Sequence, residues 1–288
     1  MTTSTAGPDE RLRRPAGPST LRLGDLTVSF VPDGAIQGRP TAWLPESTDA
    51  FWAAHPEYLD ATGHLVASVG GLLVEHGDRA LLIDAGLGPH TLPADPATPN
   101  GAMRGGDLPA GLAALGRAPD RIEAVAFSHL HPDHTGWATH GRLFARAEYL
   151  VAEPEWAARE PGDGPDTLAP HVRTVADGQE IFPGVRVRVT AGHTAGHAEF
   201  VITGGGKRLI AFGDSLHSPV QMDRPEWSCV YDHDPAGSAE HRRRLVAELA
   251  EPGTIAFGVH FADAVFGRVV PDGAGPVWRP LETADGLA

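Results

Sequence analysis

The chain has a single cysteine, Cys229, in 288 residues, so it cannot close a disulfide within itself. No activating base accompanies Cys229 in sequence, and it reads as a small, semi-buried hydrophobe rather than a nucleophile. Positive charge is also scarce: 23 Lys and Arg against 37 Asp and Glu give a formal charge of −14. A nucleic-acid partner, which needs a basic stripe to replace phosphate counterions, is therefore disfavoured. The same balance gives no attraction to anionic membranes and favours neutral or cationic small molecules. No run of about eighteen consecutive apolar residues occurs, so no transmembrane helix is expected. Arg11, Arg13 and Arg14 are not followed by an apolar core, so the first twenty residues do not read as a secretory signal. A cytoplasmic protein is the expectation.

What remains is a chain with 41% hydrophobic residues, enough for one large α/β domain. Residues 1–20, rich in Thr, Ser, Pro, Gly and Arg, read as a mobile arm, and residues 21–288 as the domain. Leu21–Val31 reads as a strand or hairpin, and strands are expected at Leu65–Val74, Ala80–Asp84, Ile122–Phe127, Leu143–Val151, Val185–Thr190, Glu199–Thr203, Arg208–Phe212 and Thr254–Val259. Leu108–Leu115, Glu155–Arg159 behind Pro154, and Ser238–Leu249 read as helices. In the last, Leu245, Val246 and Leu249 share one face, and Arg242–Arg244 are expected near the other. Strands interleaved with helices and hairpins predict a layered sandwich rather than a doubly wound sheet. Between Asp33 and Gly63 the pattern breaks among prolines 32, 40, 45 and 56, yet Trp43, Phe51, Trp52 and Tyr58 fall there. Such a segment reads as a lid over a pocket or an arm toward a second copy in a homodimer.

The densest chemistry lies in Ser128-His-Leu-His-Pro-Asp-His-Thr-Gly136, directly after a strand. Three imidazoles and a carboxylate within six residues are the borderline ligands that Zn²⁺ and its neighbours prefer. Alternate side chains His129 and His131 can turn toward one metal, and Asp133 and His134, past the bend at Pro132, toward a second.

This string resembles the HxHxDH signature of the metallo-β-lactamase superfamily, and four further segments agree with it in order. Ala191-Gly-His-Thr-Ala-Gly-His197 resembles the second family motif, with His193 as its ligand. Phe212-Gly-Asp-Ser215 resembles the third, with Asp214 as a carboxylate bridging both metals. Gly258-Val-His260 ends a strand as the last family histidine does, and Leu82-Ile-Asp-Ala-Gly86 places Asp84 as a support behind the ligands. The resemblance implies a four-layer αββα sandwich and two divalent metal ions, Zn²⁺ first with Fe²⁺, Mn²⁺ or Co²⁺ as alternatives. One would be held by His129, His131 and His193, the other by Asp133, His134 and His260, with Asp214 and a hydroxide between them. The hydroxide would attack the substrate, and Asp133 would accept or shuttle a proton. His197 and His217 are expected to line the pocket or back the ligands.

The third motif carries Asp214 rather than a cysteine, unlike β-lactamases of the cysteine-ligand type. The first motif lacks the glutamate of flavodiiron reductases, and the acidic surface lacks the basic features of ribonuclease members. Only Arg268 and Arg279 follow His260, unlike the basic tail of glyoxalase-II-like thioesterases. Gly213-Asp-Ser-Leu-His-Ser-Pro-Val-Gln221, Tyr231-Asp-His-Asp234 and Trp278-Arg-Pro280 are most similar to the branch holding methyl parathion hydrolase and lactonases. The implied reaction is hydrolysis of a small neutral ester or lactone, with phosphotriesters included. A thioesterase of a biosynthetic pathway and a non-catalytic metal-binding module are the alternatives. Trp137, Met222, Phe261 and Phe266, with Phe51 and Trp52, are the expected pocket walls.

Overall fold

Apolar, β-branched runs bounded by glycine turns form strands. In the computed structural model, which describes residues 12–141, 143–160, 162, 164–273 and 275–281, they assemble into two sheets. The first contains β1 (Ser19–Leu23), β2 (Leu26–Gly38), β3 (Leu65–His76), β4 (Arg79–Ile83), β5 (Thr91–Leu92), β6 (Asn100–Arg104), β7 (Ala124–Ala126), β8 (Glu148–Ala152) and β9 (Val172–Val175). Across it the order is β5-β6-β2-β3-β4-β7-β8-β9, with β1 paired to β2. The second sheet runs in chain order through β10 (Glu180–Phe182), β11 (Val185–Val189), β12 (Ala198–Gly204), β13 (Lys207–Ala211), β14 (Thr254–Phe257), β15 (Phe266–Asp272) and β16 (Gly275–Pro280).

The two-residue period of a strand sorts side chains into layers. Leu72 and Val74 of β3, with Leu81 and Ile83 of β4, meet Leu209, Ala211, Ile255 and Phe257 between the sheets. The intervening Leu73 and Leu82 face outward, onto Leu108 and Leu112 of α3 (Leu108–Ala114) and Ala138 of α4 (Pro132–Thr139). On the far side Ile210 and Ala256 pack on Leu245, Val246 and Leu249 of a fifteen-residue helix, Pro235–Leu249. Helix, sheet, sheet and helix are thus stacked in the expected αββα order. No helix of the described residues is long and apolar enough to cross a membrane.

Several elements depart from the sequence reading. Strand β2 does not stop at Pro32: a bulge between Pro32 and Gly34 carries it on to Gly38, paired with β3 as far as Leu65. At that bulge the buried Asp33 accepts hydrogen bonds from the N–H groups of Leu87, Gly88, Gly106 and Leu108 and from Trp137 Nε1. Beyond β2, α1 (Pro40–Trp43) and α2 (Asp49–Ala54) seat Trp43 and Trp52 in a cluster with Ile36, Leu65, Val69 and Trp227. The aromatics of residues 33–63 therefore find partners within the chain. The strand expected from Leu143 begins only at Glu148, because residues 143–147 turn, with the Ala147 N–H on the Phe144 carbonyl. Strands β5, β6, β9, β10, β15 and β16 were not expected. Of the expected arm, residues 1–11 lie outside the described residues. Ser19 and Thr20 belong to β1, and Ala16 is buried with its N–H on Ser68 Oγ.

Candidate metal centre

Each site residue follows a strand. Asp84 comes after β4, His129 after β7, Asp214 after β13 and His260 after β14, while His193 sits in the loop joining β11 to β12. The β4–β7 and β13–β14 pairs are parallel, so their carboxyl ends deliver these residues to the same edge of the sandwich. His131 is the residue before α4, and Pro132 opens that helix with a preset φ. Asp133 and His134 then lie on its first turn.

The seven expected ligands converge into two donor sets. In the first, His131 Nδ1 lies 2.9 Å from His129 Nε2 and 3.1 Å from His193 Nε2, and Asp214 Oδ2 is 3.3 Å from His193 Nε2. In the second, Asp133 Oδ2 lies 3.7 Å from His134 Nε2 and 3.5 Å from His260 Nε2. Asp214 Oδ1 is 3.2 Å from His134 Nε2 and 3.1 Å from His260 Nε2. The two oxygens of Asp214 thus face different sets. Donors about 2.0–2.1 Å from a tetrahedral ion stand roughly 3.4 Å apart, close to these spacings. His134 Nε2 and Asp214 Oδ1 are buried with no partner in hydrogen-bond geometry. Such atoms are costly unless something binds them, and nitrogen and carboxylate donors of this kind fit a divalent transition metal.

Behind the donors, further groups fix which nitrogen points inward. Asp84, held at a φ of 61°, accepts from Ser128 N and Oγ and from His134 Nδ1 at 2.8–2.9 Å. That leaves His134 Nε2 for the centre, so Asp84 is an orienting carboxylate rather than a turn residue. Asp232 Oδ1 takes the same position behind His193 Nδ1, at 2.8 Å, and the Ser68 carbonyl behind His260 Nδ1, at 2.9 Å. His197 lies outside both donor sets. Its Nε2 accepts the Asp214 N–H at 3.0 Å, a close approach that requires glycine at 213, where a Cβ would stand 2.7 Å from that nitrogen.

Charge in this buried cluster is balanced by neighbours. Burial raises the carboxyl of Asp214, but His260, His134 and His129 outweigh it and hold the group well below the usual range. Asp133 is lowered against burial by His134 and His260. Burial first, then the charge of His134 and His131, pushes His129 well below its ordinary value, and burial and His193 bring His131 to about 4. His134 goes the other way: Asp214, Asp133 and Asp84 overcome its burial and raise it well above. Carboxylates that stay ionised, as Asp133 and Asp214 do, and imidazoles that stay neutral, as His129 and His131 do, are the forms that bind metals, whereas His134 would give up a proton to a bound ion.

A cavity of about 220 Å³ opens over the donors, walled by Ile36, Trp43, Leu87 and Met103, with Asn100, His217 and Tyr231 as its polar groups beyond the ligands. Trp43 Nε1 donates to Asn100 Oδ1 at 2.7 Å. Asn100 also hydrogen-bonds the Tyr231 phenol, which burial nonetheless keeps raised and protonated. His217 stacks on His260, its Nε2 3.2 Å from Asp214 Oδ2. None of the six expected wall residues lines this cavity. Met222 and Phe261 pack under the final helix, Phe266 between the sheets and Trp137 on the outer face of the first sheet. Phe51 and Trp52 stand behind Trp227.

The description "Metallo-beta-lactamase superfamily" matches residues 71–258. The chain belongs to that superfamily. Among solved structures, AidC, described as a dizinc quorum-quenching lactonase in complex with a product, is similar at 21% identity and a TM-score of 0.79. That match covers 93% of this chain and 98% of AidC. The hydrolase AbOPH is similar at 24% identity, TM-score 0.76, over 94% and 99% of the two chains. A metal-dependent hydrolase from Staphylococcus aureus, described as probable, follows at 19%, TM-score 0.77, over 91% and 99%. By sequence, no curated protein matches.

Proposed function

We propose that this metal-dependent hydrolase opens small neutral lactones or esters at a centre of two divalent ions, zinc in the first instance. The observation that carries the reading is Asp214, one oxygen on each donor set, at the floor of an apolar cavity. Among the described residues no lysine or arginine lines that cavity, so an anionic substrate would meet no side-chain counter-charge beyond the ions themselves. Its volume lies below the roughly 300–1,000 Å³ of pockets for drug-sized ligands, which favours a small acyl group. AidC, with its lactonase description and bound product, and the similarity of residues 213–221, 231–234 and 278–280 to the lactonase-bearing branch support the same substrate class.

When bound, two such ions polarise the scissile oxygen and provide a water acidic enough to attack near neutral pH. His129, His131 and His193 would hold one ion, and Asp133, His134 and His260 the other, with Asp214 shared. Asp133 lines the cavity as a carboxylate and is placed to take up a proton as the tetrahedral species collapses. Tyr231 keeps its phenolic proton and can donate to a substrate oxygen, oriented by Asn100. Trp43, Ile36 and Met103 hold the acyl arm and exclude water. The test is an assay of the metal-loaded protein on N-acyl lactones, aryl esters, thioesters and phosphotriesters. Lactones or esters with apolar acyl arms should show the highest kcat/KM. A clear preference for thioesters or phosphotriesters, or no turnover of any class, would overturn the reading.

A further inference from the structure

Two of the histidines in the donor sets have a carboxylate behind them, and the two carboxylates are not alike. Asp84, behind His134, is met only by Ser128 and that imidazole, and among the described residues no arginine or lysine pairs with it. Asp232, behind His193, is held by Arg242, whose Nη1 lies 3.1 Å from Asp232 Oδ2, and neither side chain is exposed to solvent. Arg242 stands on α8, the helix Pro235–Leu249, whose label follows α5 (Glu153–Ala158), α6 (Pro165–Leu168) and α7 (Val220–Asp223). Its remaining donors reach the Pro225 carbonyl at 2.9 Å, the Ser215 carbonyl at 3.4 Å and Ser228 Oγ at 2.6 Å. A buried guanidinium with protein acceptors on all three of its nitrogens is fixed in place beside Asp232.

We propose that the buried Asp232–Arg242 pair is a positioning element that sets the tautomer of His193 and makes the two halves of the centre electrostatically unequal. Asp232 takes the Nδ1 proton, so His193 presents Nε2 to His131 and Asp214. Arg242 cancels most of the charge that Asp232 would otherwise pass through the imidazole. The half containing His129, His131 and His193 therefore has Asp214 as its sole uncompensated carboxylate. The other half has Asp133, Asp214 and, through His134, Asp84. This rests on the two-ion centre proposed above.

Removing the carboxylate and removing its neutraliser should act in opposite directions, which a merely structural staple would not do. Zinc-loaded protein is titrated with a chromophoric chelator to obtain a separate affinity for each equivalent. In Asp232→Asn one equivalent should weaken ten- to a hundredfold, as is usual on losing a ligand's outer partner, with the other changed less than threefold. In Arg242→Gln that equivalent should instead bind more tightly. Asp84→Asn should weaken the other equivalent, so that Asp84→Asn with Asp232→Asn weakens both. If Arg242→Gln does not fold, Asp232→Asn with Arg242→Gln, which leaves no unpaired charge buried, should reproduce the weak equivalent of Asp232→Asn. Both single variants shifting zinc affinity the same way, both equivalents moving together, or neither moving would overturn the proposal. Fewer than two equivalents in the unsubstituted protein would instead overturn the two-ion reading itself.

Discussion

Asp214 is the residue whose removal separates the two halves of the centre. Among the described residues it alone has an oxygen within 3.3 Å of an imidazole nitrogen in each donor set, 3.3 Å from His193 and 3.1 Å from His260. In Asp214→Ala the excess positive charge of two ions would have no shared carboxylate to offset it. Hydrolysis should fall by roughly three orders of magnitude or more, and elemental analysis should find fewer than two equivalents of metal. Comparable activity with both metals retained would contradict the assignment. His217 makes the contrasting case. It lines the cavity and belongs to neither donor set, so His217→Ala should raise KM or lower kcat with metal content unchanged. All seven proposed ligands were legible in the sequence because each sits in a short motif at the end of an apolar run. Asp232 and Arg242 were not, because their roles depend on partners far away in the chain. Asp232 lay in a segment, residues 231–234, that showed only a family resemblance, and the imidazole it orients, His193, is 39 positions away.

At the scale of elements, legibility followed hydrophobic period. Strands with clean runs and glycine turns, such as β3 with β4 and β12 with β13, were placed to within a few residues. Those that failed, β5, β6, β9, β10, β15 and β16, are short or interrupted by proline or glycine, and they hold their place by pairing to a neighbouring strand. Arg242 failed for a different reason. Its position repeats with Leu245, Val246 and Leu249 on the buried face of α8, but its charge argued for solvent. Residues 33–63 were flagged as unusual, and their aromatics divide: Trp43 walls the cavity over the donors, whereas Phe51, Trp52 and Tyr58 pack against the chain away from it. Trp52 is 4% exposed, donates Nε1 to Ser47 Oγ at 2.8 Å and packs on Trp227. Trp52→Ala should therefore cost about 3–5 kcal/mol, a fall in Tm of roughly 10 °C for a domain of this size. Trp43 shares that cluster and walls the cavity, so KM should rise as well, which thermal melts and steady-state kinetics would show together. Unchanged stability would return Trp52 to the role of a lid.

Across the whole molecule, one polar cluster joins the second sheet to the helix layer over it. Glu199 of β12 is fully buried and accepts from Arg188 of β11 at 2.5 and 2.9 Å, from Ser215 Oγ at 2.7 Å and from His241 of α8 at 2.7 Å. Arg188 continues to Glu248 of α8 at 2.7 Å. Burial on its own would raise the Glu199 carboxyl, but the hydrogen bond and charge of His241, then Arg188 and Ser215, hold it below its ordinary 4.5. The sign of the consequence follows from linkage. Below about pH 4.5 the unfolded chain takes up a proton at this position while the folded chain does not, so protonation favours unfolding. The stability Glu199 supplies is complete above that pH and is lost as pH falls through the depressed folded value. Glu199→Gln cannot titrate, so the gap in unfolding free energy between the two proteins should be widest near neutrality and narrow steadily below pH 4.5. Urea denaturation of both at a series of pH values measures that gap, and loss of metal ligation at low pH affects both proteins and largely cancels. A gap that stays constant or widens toward acid would mean that Glu199 is not held as a carboxylate, and the cluster would then be a neutral hydrogen-bonded staple.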